Sequence, residues 1–197
     1  LIDSDDISLT NINRQIHALE TTIGQKKTLM MKERILAINP QAKVTTIEKL
    51  YTPESNFFNW DDNYTYIVDA VDDVKAKINL IVNANKHNLP IMSSMGTANK
   101  LDTQKFVITD IYKTHTCPLA RIMRKTLKQQ GIKKLKVLYS TEEPFTNYTV
   151  NFKENTSKDN SPASTRKQPL GSISFVPPIA GLMIAGEIVK DICQINR

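Results

Sequence analysis

Residues 64–86 read YTYIVDAVDDVKAKINLIVNANK and contain a strand–helix unit typical of a parallel sheet. The apolar run at 64–71 predicts a short buried strand, and the apolar residues of 74–86 recur with helical spacing. Asp72 and Asp73 lie between the two elements, at the carboxyl end of the strand. Because ligands of open α/β sheets bind outside the carboxyl ends of the strands, this turn is expected to border a binding site.

The neighbouring segments continue the alternation of strands and helices. Leu1 and Ile2 are interpreted as the end of a buried parallel strand, and Asn39-Pro40 is expected to end a helix. We predict helices at residues 21–38, 118–131 and from Pro177 onward, and strands at residues 42–50, 90–94, 105–111, 136–140 and just before Pro177. This order favours an α/β fold with a doubly wound, mostly parallel, Rossmann-like sheet.

Size and composition indicate one domain over residues 1–197, with 40% apolar residues. Residues 147–170 are polar, and we expect them to form a flexible loop. No transmembrane segment is predicted, because the most apolar stretch, 173–189, contains Pro177-Pro178 and Glu187 and is better explained as a buried helix. Two cysteines without a CxxC pair support neither a zinc ribbon nor a disulfide framework, so a cytoplasmic location is expected.

The first 27 residues carry side chains suited to a nucleotide. Asp3 directly follows the predicted strand end, where its carboxylate can accept hydrogen bonds from ribose hydroxyls. Asn11, Arg14 and Lys27 supply an amide, a bidentate anion clamp and a point positive charge. Together these three side chains could bind a triphosphate and neutralise its negative charge.

Asp72 and Asp73 allow two interpretations. A carboxylate between a strand and a helix can hold Mg²⁺ against nucleotide phosphates, but aspartate is also a common helix N-cap. Taken alone, either residue is better explained as a cap. The metal hypothesis gains weight from Asp3, Arg14 and Lys27, since the ends of parallel strands converge on one crevice.

Other reactive residues give weaker indications. Residues 24–27, GQKK, lack the leading glycine and trailing Ser/Thr of a P-loop. Cys117 has no evident base beside it and is interpreted as an inert small side chain. His17, His87 and His115 show no metal-ligand spacing.

Residues 121–136, RIMRKTLKQQGIKKLK, carry basic side chains and no acidic one, within a chain of net charge +6. Such a run is usually a solvated helix face, and it also suits RNA phosphates. The sequence leaves both interpretations open.

Several motifs together resemble a known superfamily. They are DSDD (3–6), TNINRQ (10–15), GQKK (24–27), INP (38–40) and VDAVD (68–72), in an order and spacing similar to the ThiF/MoeB/HesA adenylating enzymes, which are E1-like relatives of ubiquitin-activating enzymes. Within that superfamily, the segments at 110–128, 137–144 and 170–186 resemble the tRNA threonylcarbamoyladenosine dehydratases. The resemblance extends over nearly the whole chain.

The resemblance implies an ATP-dependent ring closure on tRNA. The carboxylate of threonylcarbamoyladenosine would be adenylylated, and an internal nucleophile would then displace AMP. By position, Asp3 would bind the ribose, Asn11 and Arg14 the phosphates, Lys27 the triphosphate, and Asp72 the Mg²⁺ ion. Arg14 and Asp72 would act in catalysis. A homodimer and a sulfur-transfer protein partner are further implications.

Two features depart from the family pattern. The N-terminal βα unit with its glycine-rich loop is missing from this sequence, and Cys117 stands where relatives commonly carry Asp. The zinc cysteines of the MoeB branch are also missing, which favours the tRNA branch. Two alternatives remain: an adenylyltransferase that activates the C-terminus of a ubiquitin-like or sulfur-carrier protein, and an inactive partial chain that serves as a binding module.

Overall fold

A computed structural model describes residues 1–60, 62–144 and 170–195. Strands and α-helices alternate along this part of the chain, as the sequence predicts, except that the second and third strands follow one another with no α-helix between them. The strands are β1 (Ile67–Asp69), β2 (Ile91–Ser94), β3 (Phe106–Asp110) and β4 (Lys136–Ser140). The helices are α1 (Lys27–Ile38), α2 (Val74–Lys86), α3 (Pro118–Gln129) and α4 (Val176–Ile192).

The four strands form one sheet in the order β1-β2-β4-β3. β1, β2 and β4 are parallel, with Ile67 beside Ile91 and Met92 beside Lys136. β3 is antiparallel to β4, with Phe106 opposite Ser140. The chain reaches β3 from the carboxyl end of β2 without a crossover helix, so β3 runs in the opposite direction. The sheet is therefore mostly parallel, as predicted, with one antiparallel edge strand.

Helices cover both faces of the sheet. On one face, α2 and α3 bury residues such as Ile81, Met123 and Leu127 against β4. On the other face, α4 places Val176, Ala180 and Ile184 against Met92, Phe106 and Leu138. This three-layer arrangement confirms the doubly wound α/β architecture and leaves the carboxyl ends of the parallel strands at one edge.

Several local predictions about the first 50 residues are wrong. Residues 42–50 form no strand, because Ile47 makes only an isolated bridge to Ile2. Leu1 and Ile2 are exposed and belong to this bridge rather than to a buried strand of the sheet. The predicted helix at 21–38 begins only at Lys27, since Gly24 adopts a left-handed φ of 81° that ends the preceding turn.

The last described segment also differs from its prediction. No strand precedes Pro177; a turn leads directly into α4 at Val176. α4 is not fully buried, because Leu182 on its outer side is 72% exposed. In the part of the chain that the structure describes, no helix combines the length and apolarity needed to cross a bilayer. Most of the predicted flexible loop, from 147 to 169, lies outside the described residues.

Candidate functional site

Asp3 lies at the start of a tight turn. Its Oδ1 atom accepts a hydrogen bond from the backbone N–H of Asp5 at 2.8 Å, and its own N–H donates to the carbonyl of Ile47 at 3.2 Å. The other carboxylate oxygen accepts no hydrogen bond from the described residues. Asp3 therefore retains the acceptor that the ribose prediction requires, although it follows an isolated bridge instead of a sheet strand.

Asn11 and Arg14 are positioned by the same short turn. Buried Asn11 accepts a hydrogen bond from the Ser8 N–H at 3.0 Å, and this closes the 3₁₀ helix Leu9–Asn11. Arg14 donates from Nη1 to the carbonyl of Thr10 at 2.8 Å and to Oδ1 of Asn13 at 2.9 Å. Within the described residues, the Nε and Nη2 groups of Arg14 make no hydrogen bond, so the guanidinium still has donors for a phosphate.

Lys27 opens α1 and pairs with an aspartate from the same opening segment. Its Nζ lies 2.6 Å from Oδ2 of Asp5, and Lys26 forms a matching pair with Asp6 at 2.6 Å. The hydrogen bond from Lys27 holds the pKa of the Asp5 carboxyl below its usual value. The two pairs tie the opening loop to the start of α1, and so place Lys27 beside the turn that carries Asp3.

Asp73, rather than Asp72, caps α2. The Asp73 carboxylate accepts the N–H of Ala76 at 2.8 Å, which satisfies one of the free donors in the first turn. Asp72 is exposed and accepts no hydrogen bond from the described residues. The cap interpretation therefore applies to Asp73, and the Asp72 carboxylate remains free to bind a cation.

A buried ion pair that the sequence did not predict supports this turn. Lys77 Nζ lies 2.8 Å from Oδ2 of Asp69, and the two side chains are 1% and 0% exposed. Ser93 donates to the same oxygen at 2.6 Å, and the Val71 N–H donates to Oδ1 at 3.1 Å. Burial lowers the pKa of Lys77, while the Asp69 carboxylate opposes that shift. The pair fixes the β1–α2 connection and with it Asp72.

Several buried polar atoms near the predicted nucleotide residues have no hydrogen-bond partner within residues 1–60, 62–144 and 170–195. They are Oε1 of Gln15, both ring nitrogens of His17, Oγ1 of Thr28 and Oγ of Ser172. Thr28 follows Lys27 in the chain, and Ser172 accepts a hydrogen bond at its carbonyl from Asn13 at 3.1 Å. Because buried polar atoms are nearly always hydrogen-bonded, these atoms could accept hydrogen bonds from a polar ligand or donate hydrogen bonds to it.

None of these four residues was predicted from the sequence, and His17 is the one that can titrate. Burial lowers its pKa, and the nearby Lys27 lowers it further, while Asp3 acts in the opposite direction. The imidazole is therefore kept neutral close to two predicted nucleotide residues. No spacing motif marks His17, since its neighbours Asp3 and Lys27 come from separate turns.

Cys117 is buried and serves as the N-cap of α3. Its Sγ accepts the N–H of Ala120 at 3.5 Å. Nearby Lys100 is also buried, and its ammonium donates to the backbone carbonyl of Glu142. The Glu142 carboxylate in turn accepts the N–H groups of Leu101 and Asp102 at 3.1 and 3.0 Å. These contacts tie loops together at the carboxyl edge of the sheet, and Cys117 itself packs in the hydrophobic core with Met123 and Leu127.

A cleft of about 710 Å³ lies at the opposite edge, beside the amino ends of β1, β2 and β4. Its polar groups already pair with one another: Tyr66 donates to Asp191 at 2.8 Å, and Lys136 lies 2.6 Å from the same carboxylate. This cleft is away from Asp72 and holds none of the predicted site residues. Among the described residues, no group of three or more His, Cys, Asp or Glu is arranged to hold a metal.

Comparison with known proteins gives consistent matches. The ThiF family model matches residues 1–197. A tRNA threonylcarbamoyladenosine dehydratase of Bacillus subtilis (strain 168) is 40% identical over 195 residues, which are 98% of this chain and 76% of the relative. The protein of that name from Escherichia coli (strain K12) is 38% identical over 128 residues, or 65% of this chain and 48% of the relative.

A solved structure agrees with these relatives. The crystal structure of the E. coli tRNA N6-threonylcarbamoyladenosine dehydratase in complex with ATP superimposes with a TM-score of 0.80 at 28% identity. The superposition covers 98% of this chain and 74% of that one. Its complex with AMP gives the same TM-score.

Proposed function

Because the chain belongs to the ThiF family of E1-like proteins, we propose that it is an ATP-dependent enzyme that dehydrates threonylcarbamoyladenosine in tRNA by closing a ring. The observation that carries this proposal is the 40% identity to the B. subtilis dehydratase over 98% of this chain. The E. coli structures with ATP and AMP support a nucleotide-dependent reaction, because both share this fold at a TM-score of 0.80.

We propose that ATP binds along the opening segment at the carboxyl edge of the sheet. Asp3 would accept hydrogen bonds from the ribose, and Asn11 and Arg14 would bind phosphates. The Lys27 ammonium, which pairs with Asp5 in this structure, would turn partly away from that carboxylate to bind the triphosphate. The polar atoms of Gln15, His17, Thr28 and Ser172 that have no hydrogen-bond partner among the described residues support a polar ligand here.

Asp72 is the residue proposed to hold Mg²⁺. Its exposed carboxylate accepts no hydrogen bond from the described residues, and Mg²⁺ is typically held by one or two carboxylates plus substrate phosphates. When bound, the ion would offset negative charge on the phosphates. Asp73 would not contribute, because its carboxylate is engaged in capping α2.

The reaction balances as two displacements. The substrate carboxylate attacks the α-phosphorus of ATP and forms an acyl adenylate, and pyrophosphate leaves. An internal nucleophile of the substrate then attacks the activated carbonyl, and AMP leaves with one of the former carboxylate oxygens. Arg14 and Lys27 would stabilise the charge that gathers on the phosphates during the first step.

The direct test is to incubate the protein with ATP, Mg²⁺ and tRNA that carries threonylcarbamoyladenosine, followed by mass spectrometry of the nucleosides. We expect the modified nucleoside to lose the mass of one water, and expect AMP to accumulate in equal amount. ATP binding without loss of water would instead support a binding module. AMP formation only in the presence of a ubiquitin-like or sulfur-carrier protein would support the alternative adenylyltransferase.

We further propose that the protein forms a homodimer and acts in the cytoplasm, with a sulfur-transfer protein as an additional partner. Exposed apolar side chains of α4, such as Leu182 and Val189, support a protein–protein contact. Light scattering after size-exclusion chromatography should give twice the chain mass of 22.3 kDa. A monomer mass at micromolar concentration would contradict the dimer.

A further inference from the structure

The outer face of α3 presents three cations in one line. Arg121, Lys125 and Lys128 are spaced at i, i+4 and i+7, so they follow one side of the helix, and all three are exposed. The opposite side of α3 buries Ala120 and Leu127 in the core. The line of cations, here called the α3 stripe, therefore points away from the sheet.

No carboxylate neutralises the α3 stripe in the part of the chain that the structure describes. None of its three cations forms an ion pair there, and residues 111–136 contain no acidic side chain. Arg124 on the same helix is different, because its guanidinium donates to the carbonyl of Thr114 at 2.7 Å. The α3 stripe thus retains its full charge for an external partner.

The α3 stripe starts at the carboxyl edge of the parallel strands, the edge that also carries Asp72. Cys117, the N-cap of α3, lies within electrostatic range of Lys100, which belongs to the loop beyond the carboxyl end of β2. Asp72 follows the carboxyl end of β1, which is paired in parallel with β2. Arg121 is in the first turn of α3 and is therefore the member of the stripe nearest to this edge.

We propose that the α3 stripe binds the phosphate backbone of the tRNA whose modified nucleoside enters the site. This inference rests on the proposed function and adds the surface that holds the substrate. Long cationic side chains without carboxylate partners are the groups that contact nucleic-acid phosphates independently of sequence. An acidic protein partner would contact the same charges, and the test separates the two.

The test compares two charge-matched double variants with the wild-type protein. Arg121→Gln/Lys125→Gln removes two charges from the α3 stripe, and Arg34→Gln/Lys43→Gln removes two exposed charges elsewhere. The dissociation constant for tRNA is measured by fluorescence anisotropy from 50 to 200 mM KCl, and ATP affinity is measured in parallel.

We expect the α3 variant to bind tRNA at least tenfold more weakly and to reduce the slope of log K against log salt by about 1.5, with ATP affinity unchanged. The control variant should stay within twofold of the wild type. Equal tRNA affinity in both variants would overturn the proposal and favour a protein partner. If the wild-type protein bound the tRNA through the α3 stripe but did not dehydrate it, the proposed function would be overturned, whereas the proposal that the α3 stripe binds RNA would stand.

Discussion

Asp69 and Lys77 place opposite charges in the interior, next to the turn that carries Asp72. Removing two charges from water is costly, and the pair is tolerated because Ser93 and the Val71 N–H add hydrogen bonds to the same carboxylate. Sequence reasoning did not identify the pair. An aspartate at the end of a strand and a lysine on a helix are ordinary surface residues until the helix packs on that strand.

Breaking this pair should destabilise the fold strongly. In Lys77→Met the Asp69 carboxylate stays buried without its counter-charge, so the free energy of unfolding should fall by roughly 3–5 kcal/mol. Urea denaturation followed by circular dichroism measures the change. The double variant Asp69→Leu/Lys77→Met should recover much of the loss, because no buried charge remains. If Lys77→Met were as stable as the wild type, the Asp69 carboxylate would not depend on Lys77 for its stabilisation.

His17 should make stability depend on pH. The pKa of His17 is lower in the folded protein than its unfolded value of 6.5. As the pH falls through 6.5, the unfolded chain therefore binds a proton before the folded protein does, and this lowers the free energy of unfolding. The wild-type protein should therefore become less stable as the pH falls from 7.5 to 5.5. The same pH change should destabilise His17→Gln less. Melting temperatures of both proteins at the two pH values provide the measurement. An identical decrease in both would rule out a contribution from His17.

At the scale of elements, the two adjacent aspartates at the N-terminus of α2 have different roles: Asp73 caps the helix, and Asp72 is proposed to bind Mg²⁺. Asp73→Ala should lower the free energy of unfolding by about 1 kcal/mol through loss of the cap, and Asp73→Ser should recover most of it. Asp72→Ala should leave stability near that of the wild type but abolish dehydration of tRNA. Urea denaturation and the nucleoside assay measure the two effects. If Asp72→Ala lost stability and Asp73→Ala lost only activity, the roles assigned to the two residues would be wrong.

The elements that could be predicted are those whose local pattern agrees with their packing. α2 and β4 have the predicted bounds, because their apolar residues match the faces they bury. Residues 42–50 alternate like a strand, yet only Ile47 finds a bridge partner, so the pattern alone was misleading. The direction of β3 was also not predictable, since it depends on which neighbour the strand pairs with.

At the scale of the whole molecule, the sequence predicted the fold class and the family but only part of the candidate site. The chemical types of Asp3, Arg14 and Lys27 pointed to a nucleotide, and their roles remain predictions. The contact between Asn13 and Ser172 joins residues 159 positions apart, and no local pattern contains it. The unpaired atoms of His17 and Ser172 likewise become visible only when distant segments meet.

The central claim is that the substrate carboxylate is activated by transfer of AMP. The most direct measurement uses tRNA whose threonylcarbamoyl carboxylate carries a heavy oxygen isotope, with mass spectrometry of the nucleotide products after a full turnover. Adenylylation predicts one heavy oxygen in the phosphate of AMP and none in pyrophosphate. Heavy oxygen in inorganic phosphate, with ADP as the nucleotide product, would contradict the claim, because the carboxylate would then have attacked the γ-phosphorus.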